Sequence, residues 1–116
     1  MVYKHGTLEN EIMNAVWTIE TNSDSEKYIS VNEVMNITNA GGNVRAYTTI
    51  KTVMDRLTEK NMLNREKFGK KFCYKSIKSR EVMAKGAIEK LVRQYFNNDI
   101  RLLMKAIENQ CLSASK

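Results

Sequence analysis

The fold turns on the run Arg45-Ala46-Tyr47-Thr48-Thr49-Ile50-Lys51-Thr52-Val53-Met54-Asp55-Arg56-Leu57. At ~100° per residue, Ile50, Val53, Met54 and Leu57 fall within an arc of about 100°, the buried stripe of an amphipathic helix. Thr48, Lys51, Thr52, Asp55 and Glu59 lie on the far side, with Thr49 and Arg56 at its margin. The pattern predicts a helix over residues 46–61.

Just upstream, Gly41-Gly42 breaks the chain and makes a turn. Before it, Ser30-Val31-Asn32-Glu33 reads as a capping box, with serine and glutamate satisfying each other's orphan amides. It opens a second helix ending near Asn39, with Val31, Val34 and Met35 inward. Two helices separated by a Gly-containing turn have helix-turn-helix spacing. Farther back, Leu8, Ile12, Met13, Val16 and Trp17 share one face of a helix over residues 7–19, with Thr7 as its expected cap. A polar loop follows, and Tyr28-Ile29 is long enough only for a short edge strand.

Downstream, Met62-Leu63-Asn64-Arg65-Glu66-Lys67 and Lys71-Phe72-Cys73-Tyr74-Lys75 alternate with period two around Phe68-Gly69-Lys70. The reading is a β-hairpin turning on a central glycine. From Ser79 helical periodicity returns, carrying Val82, Ala87, Ile88, Leu91, Val92, Tyr95 and Phe96. Asn97-Asn98 interrupts it, and a second apolar set holds Ile100, Leu102, Leu103, Met104 and Ile107. The expected fold is mainly α with a small β-hairpin: a winged helix-turn-helix over residues 1–78, then a C-terminal helical dimerisation region over residues 79–116. Those two helices expose more apolar surface than a lone tail would keep in water, and a second copy of the chain is the simplest cover.

Charge sharpens this reading. The chain has 116 residues, 19 Lys+Arg and 13 Asp+Glu, for a net charge of +6. Residues 1–40 hold 2 basic and 6 acidic side chains (−4), residues 41–80 hold 11 and 3 (+8), and residues 81–116 hold 6 and 4 (+2). A basic middle behind an acidic front implies an anionic partner, nucleic acid before membrane headgroups. No apolar run approaches the ~20 residues of a membrane span. The only histidine, His5, stands near the N-terminus, and Cys73 and Cys111 form no metal-binding or disulfide pattern. An enzyme is disfavoured for want of a Ser/His/Asp, Cys/His or metal constellation, and no cofactor or metal is expected.

The stretch from Arg45 to Leu57 resembles the third helix of the penicillinase, methicillin-resistance and copper-responsive repressor family of winged-helix regulators. Leu8-Glu9-Asn10-Glu11-Ile12-Met13-Asn14-Ala15-Val16-Trp17 is similar to the family's opening helix. Lys60-Asn61-Met62-Leu63-Asn64-Arg65-Glu66 with Gly69-Lys70-Lys71-Phe72-Cys73-Tyr74 resembles its wing, and Ser79-Arg80-Glu81 the start of its first dimerisation helix. The resemblance covers residues 7–107. It implies a homodimeric transcriptional repressor on a palindromic operator in double-stranded DNA, in the bacterial cytoplasm and nucleoid-associated, with no membrane partner. An inducing protease or sensor system is a further partner of this kind of repressor. In the family the positions of Thr48, Thr49 and Thr52 face bases or phosphates, Arg56 matches an arginine near the backbone, and the wing contacts phosphates. The β-lactamase branch is relieved by cleavage at an Asn-Phe bond, where this chain has Ala106-Ile107. The copper branch ends in paired Cys-x-Cys motifs, where only Cys111 stands here.

The chemistry of the residues agrees. A threonine hydroxyl donates and accepts, its methyl can meet a thymine methyl, and a helix start near the Thr-Thr pair turns free amides toward a phosphate. Such threonines can also be plain solvated filler, although three β-branched residues weaken a helix without helping a core. The candidate DNA contacts are Arg45, Tyr47, Thr48, Thr49, Lys51, Thr52 and Arg56 from the helix, with Lys67, Lys70 and Lys71 from the hairpin. Arg65 and Lys75 add to the hairpin's charge, which also serves to blunt an exposed sheet edge. Phe72 and Tyr74 are expected to pack on the helices. Asp55 and Glu59 are expected to repel phosphates or pair with lysines. Ile88, Leu91, Val92, Tyr95, Phe96, Ile100, Leu103 and Ile107 are the candidate dimerisation residues. The alternative is a winged-helix adaptor that binds protein without sequence-specific DNA contact.

Overall fold

The computed structural model describes residues 7–23 and 27–114; His5 and the side chains of Thr7 and Cys111 lie outside what it describes. The chain divides into two compact units, Met1–Ser79 and Arg80–Lys116. In the first, α1 (Thr7–Thr21), β1 (Ile29–Ser30), α2 (Val31–Ala40), α3 (Tyr47–Glu59), β2 (Leu63–Phe68) and β3 (Lys71–Ser76) follow in order. The strands form one antiparallel sheet ordered β1-β3-β2, so β3 is central and β1 is an edge strand two residues long. This is a winged helix, as the element order predicts.

The core forms where the periodicity places it. Ile12, Val16, Val34, Ile50 and Met54 are fully buried, and Val53 and Leu57 complete the α3 stripe. Trp17 is only half-buried; its ring packs on the core and its indole N–H donates to the Lys78 carbonyl at 3.0 Å.

Local caps set the helix ends. The Ser30 hydroxyl accepts from the Glu33 amide at 3.1 Å, and the Glu33 carboxylate accepts from the Ser30 amide at 3.2 Å, so the capping box is closed both ways. Helix α2 ends at Gly41, and Gly42 takes φ 108, a conformation that side chains resist. Asn39 then clamps the turn: its amide donates to the Arg45 carbonyl at 3.3 Å and its oxygen accepts from the Arg45 amide at 2.9 Å. Helix α3 stops two residues before the expected end. Asn61 sits left-handed at φ 62, with Met62 N–H bonded to Leu57 O and Asn61 N–H to Thr58 O, which is a Schellman closure with asparagine in the glycine place.

The hairpin turn is one residue shorter than the sequence reading has it. Phe68 pairs with Lys71, leaving Gly69-Lys70 as a two-residue loop. Gly69 has φ 65 at the first loop position, where a type II′ turn favours glycine. This register sets Arg65 opposite Tyr74 and Lys67 opposite Phe72.

The second unit contains α4 (Arg80–Tyr95) and α5 (Ile100–Ala114). Asn97 and Asn98, at φ 51 and 57, end α4, and Asp99 accepts from the Arg101 amide at 3.0 Å to open α5. No helix among the described residues is long and apolar enough to cross a membrane.

Ser30→Ala removes the capping box and should lower the unfolding free energy by about 1 kcal/mol in a urea melt. A loss under about 0.3 kcal/mol would mean that the box contributes nothing in solution.

Candidate nucleic-acid interface

Helix α3 presents opposite faces to the core and to solvent. Thr48, Thr49, Thr52 and Arg56 are exposed, Lys51 is half-buried, and Tyr47 is 38% exposed. The helix begins at Ala46, whose side chain can make no cap, and its first hydrogen bond runs from the Ile50 amide to the Ala46 carbonyl. The amides of Tyr47, Thr48 and Thr49 therefore point out of the helix start without a helical acceptor. That end carries the positive pole of the helix dipole.

Five basic residues of this unit are neutralised inside it. Lys27 meets Glu33 at 2.9 Å, Arg45 meets Glu11 at 2.7 Å, Lys60 meets Glu9 at 2.9 Å, and Lys51 and Arg65 share Asp55 at 2.8 and 3.0 Å. Among the described residues, Arg56 on α3 and Lys67, Lys70 and Lys71 on the hairpin pair with no carboxylate and are exposed, whereas Lys51 and Arg65 on the same elements are held by Asp55. Arg45, read from the sequence as a DNA contact, is thus turned toward α1, its side chain 24% exposed.

Asp55, expected on the polar face and open to pairing with a lysine, does pair with Lys51, and it is also the junction between α3 and the wing, which periodicity alone does not show. Its carboxylate accepts from Lys51, from Arg65 and, at 2.5 Å, from the Tyr74 hydroxyl. Tyr74 is fully buried and Phe72 partly, in keeping with aromatics packed on the helices. The Arg65 guanidinium lies 4.3 Å from the Phe72 ring centroid, a cation–π contact. Partial burial raises the Asp55 carboxyl, but the hydrogen bonds from Lys51, Tyr74 and Arg65 outweigh it and hold the group below the usual aspartate range. Burial first, then the bond to Asp55, pushes the Tyr74 phenol up. Two signals for this junction were present in the sequence. Lys51 and Asp55 are four apart on one helix, and counting from a two-residue turn sets Arg65 across from Tyr74. Phe68, at the wing tip, is 51% exposed and braced on the Tyr28 ring at 5.5 Å.

In the helical unit Ile88, Leu91, Tyr95, Ile100 and Ile107 are exposed, Tyr95 by 70% and Ile107 by 52%. Phe96 is half-buried. Val92 and Leu103 are already buried within the single chain.

A helix-turn-helix with a basic hairpin, its second helix exposed along a polar face, defines the winged-helix class of DNA-binding domains. The particular family follows from the sequence: residues 5–116 match the family described as penicillinase repressor. The chain belongs to the penicillinase repressor family, and it is a DNA-binding transcriptional repressor. Its family is one of transcriptional regulators, not of enzymes. No curated protein shows significant similarity to the chain.

The Asp55 link carries a pH signature. Because its carboxyl is depressed in the folded chain, the stability it confers is complete above the ordinary aspartate range and is lost as the pH falls through the lower folded-state value. Tyr74→Phe should cost about 1.5–3 kcal/mol at neutral pH, and the difference from the parent should shrink in strong acid. Urea melts at both pH values measure it; a pH-independent difference would rule out a bond to the charged carboxylate.

Proposed function

We propose that the chain represses transcription as a homodimer on an inverted-repeat operator. Each protomer presents Thr48, Thr49, Thr52 and Arg56 of α3 to one major groove, while Lys67, Lys70 and Lys71 of the wing neutralise neighbouring phosphates. One observation carries the reading: among the described residues Arg56 of α3 and Lys67, Lys70 and Lys71 of the hairpin are exposed and pair with no carboxylate, while Arg45, Lys51, Lys60 and Arg65 of the same unit are internally paired. The uncapped start of α3 adds amides suited to a phosphate oxygen. Tyr47 stands at that start and is assigned to the same contact. Arg45 contributes by fixing the turn against α1, and Lys51 lies at the edge of the face beside Asp55.

The second copy covers Ile88, Leu91, Tyr95, Phe96, Ile100 and Ile107, with Val92 and Leu103 as the packed layer beneath. Large apolar side chains exposed on both helices of so small a unit support this assignment. Two-fold symmetry then sets two half-sites about one or two helical turns apart. Cleavage at the family's Asn-Phe position has no part in this reading, since Ala106-Ile107 occupy it within a continuous α5.

Selection of bound fragments from a random DNA pool should return an inverted repeat. Thr48→Ala combined with Thr52→Ala should reduce discrimination against single-base changes by about 1–3 kcal/mol per lost contact, with little change in salt dependence. A pool without an enriched motif overturns the operator reading.

Sedimentation equilibrium should show a dimer. Ile88→Glu with Tyr95→Glu should yield monomers that bind the selected operator roughly a hundredfold more weakly, since the second half-site no longer adds its avidity. A parent chain that remains monomeric at high concentration refutes the dimer.

A further inference from the structure

The Asp55 carboxylate gathers groups from two elements onto one point. From α3 itself, Lys51 Nζ donates at 2.8 Å, one turn back. From the hairpin come Arg65 at 3.0 Å and the Tyr74 hydroxyl at 2.5 Å. The Phe72 ring lies under both cations, 4.3 Å from the Arg65 guanidinium and 5.5 Å from Lys51 Nζ. The cluster is at the surface: Lys51 and Arg65 are each 36% exposed and Asp55 is 28% exposed.

A carboxylate is an unfavourable group beside a face that meets a polyanion. Asp55 stands three residues from Thr52 and next to Arg56, beside the face proposed to meet the groove. Linking α3 to the hairpin does not itself require charge, since the Tyr74 hydroxyl could also donate, more weakly, to a neutral amide oxygen. What the charge adds is a hold on two cations that would otherwise be free to seek any phosphate.

We infer that Asp55 is a specificity-determining positioning residue, which withholds Lys51 and Arg65 from indiscriminate phosphate contact by fixing them between its carboxylate and the Phe72 ring. The inference rests on the α3 face and wing being the DNA-contacting surface. Non-specific affinity scales with the phosphates neutralised, each adding about 0.9 to the slope of log K against log salt. With Asp55 in place, the two cations contribute little to that slope. The free set, Arg56, Lys67, Lys70 and Lys71, supplies most of it, and the threonine face keeps a larger share of the total binding energy. The trio also fixes the wing relative to α3, so a groove that suits the helix and phosphates that suit the wing must occur together.

The test titrates the full-length chain with a short duplex of random sequence, over about 50 to 200 mM salt. Asp55→Asn should bind that duplex more tightly at low salt and steepen the slope by about one to two, equivalent to losing roughly fourfold to sixteenfold more affinity across the range. The double variant Lys51→Gln with Arg65→Gln should leave the parent slope nearly unchanged, but abolish the gain when added to Asp55→Asn. A folded Asp55→Asn chain with an unchanged or shallower slope overturns the inference while leaving the DNA reading intact. Should Asp55→Asn fail to fold, the double variant decides: a slope shallower by about two would mean that Lys51 and Arg65 already engage phosphates in the parent, which also overturns it. A parent chain that binds no duplex at low salt defeats the DNA reading and this inference together.

Discussion

The outward face of α3 depends on how its inward face is seated. Ile50 and Met54 are wholly buried, and Val53 and Leu57 nearly so, against side chains from α1, α2 and the hairpin. Four such side chains at helical spacing fix the rotation of the helix about its own axis. A rotation of one residue, about 100°, would bury the threonines and expose the stripe. Burial of this kind contributes about 1.5–3 kcal/mol per large side chain, far more than any surface contact of the same helix. The core therefore sets which side chains a groove can meet, and the Asn39 clamp on Arg45 sets where the helix begins.

Electrostatics refines that placement by subtraction. The acidic N-terminal third lends Glu11 to Arg45 and Glu9 to Lys60, and Asp55 takes Lys51 and Arg65. Exposed pairs of this sort add only about 0–1 kcal/mol each to stability, so their larger consequence is the distribution of charge they leave. What remains unpaired on α3 and the hairpin is a short set of cations bracketing the threonine face. A uniform +8 would attract any polyanion in any orientation, whereas a bracketed face favours one.

The parts of this structure that were legible in sequence are those set by short-range periodicity. The α3 stripe, the Ser30–Glu33 box and the order of elements need only neighbours within a turn or two. The Asp55 junction needs more. Its partners Arg65 and Tyr74 lie 10 and 19 residues away, and they converge only if the hairpin turns on Gly69-Lys70. A three-residue turn on Phe68-Gly69-Lys70 would pair Lys67 with Lys71 and shift every cross-strand partner by one. The partners of Arg45 and Lys60 are 34 and 51 residues distant, beyond any local pattern. Net charge was countable from the start; which charges are available was not. The end of α3 shows the same limit at short range, since Asn61 reads as an ordinary helix residue until its left-handed backbone closes the Schellman bonds.

The start of α3 combines several locally unfavourable choices. Ala46 caps nothing, and Thr48, Thr49 and Thr52 are β-branched residues that a helix accepts at roughly half a kcal/mol each relative to alanine. None of the three threonines is buried, so no packing offsets that cost. A sequence shaped for stability alone would place serine or aspartate at position 46 and strong helix formers after it. An aspartate there would satisfy a free amide and, in the proposed contact, repel an incoming phosphate; alanine leaves the amides open, as that contact requires. Local cost gathered at one exposed helix end, while the buried side of the same helix is regular, is the pattern expected where a protein keeps groups unsatisfied for a partner.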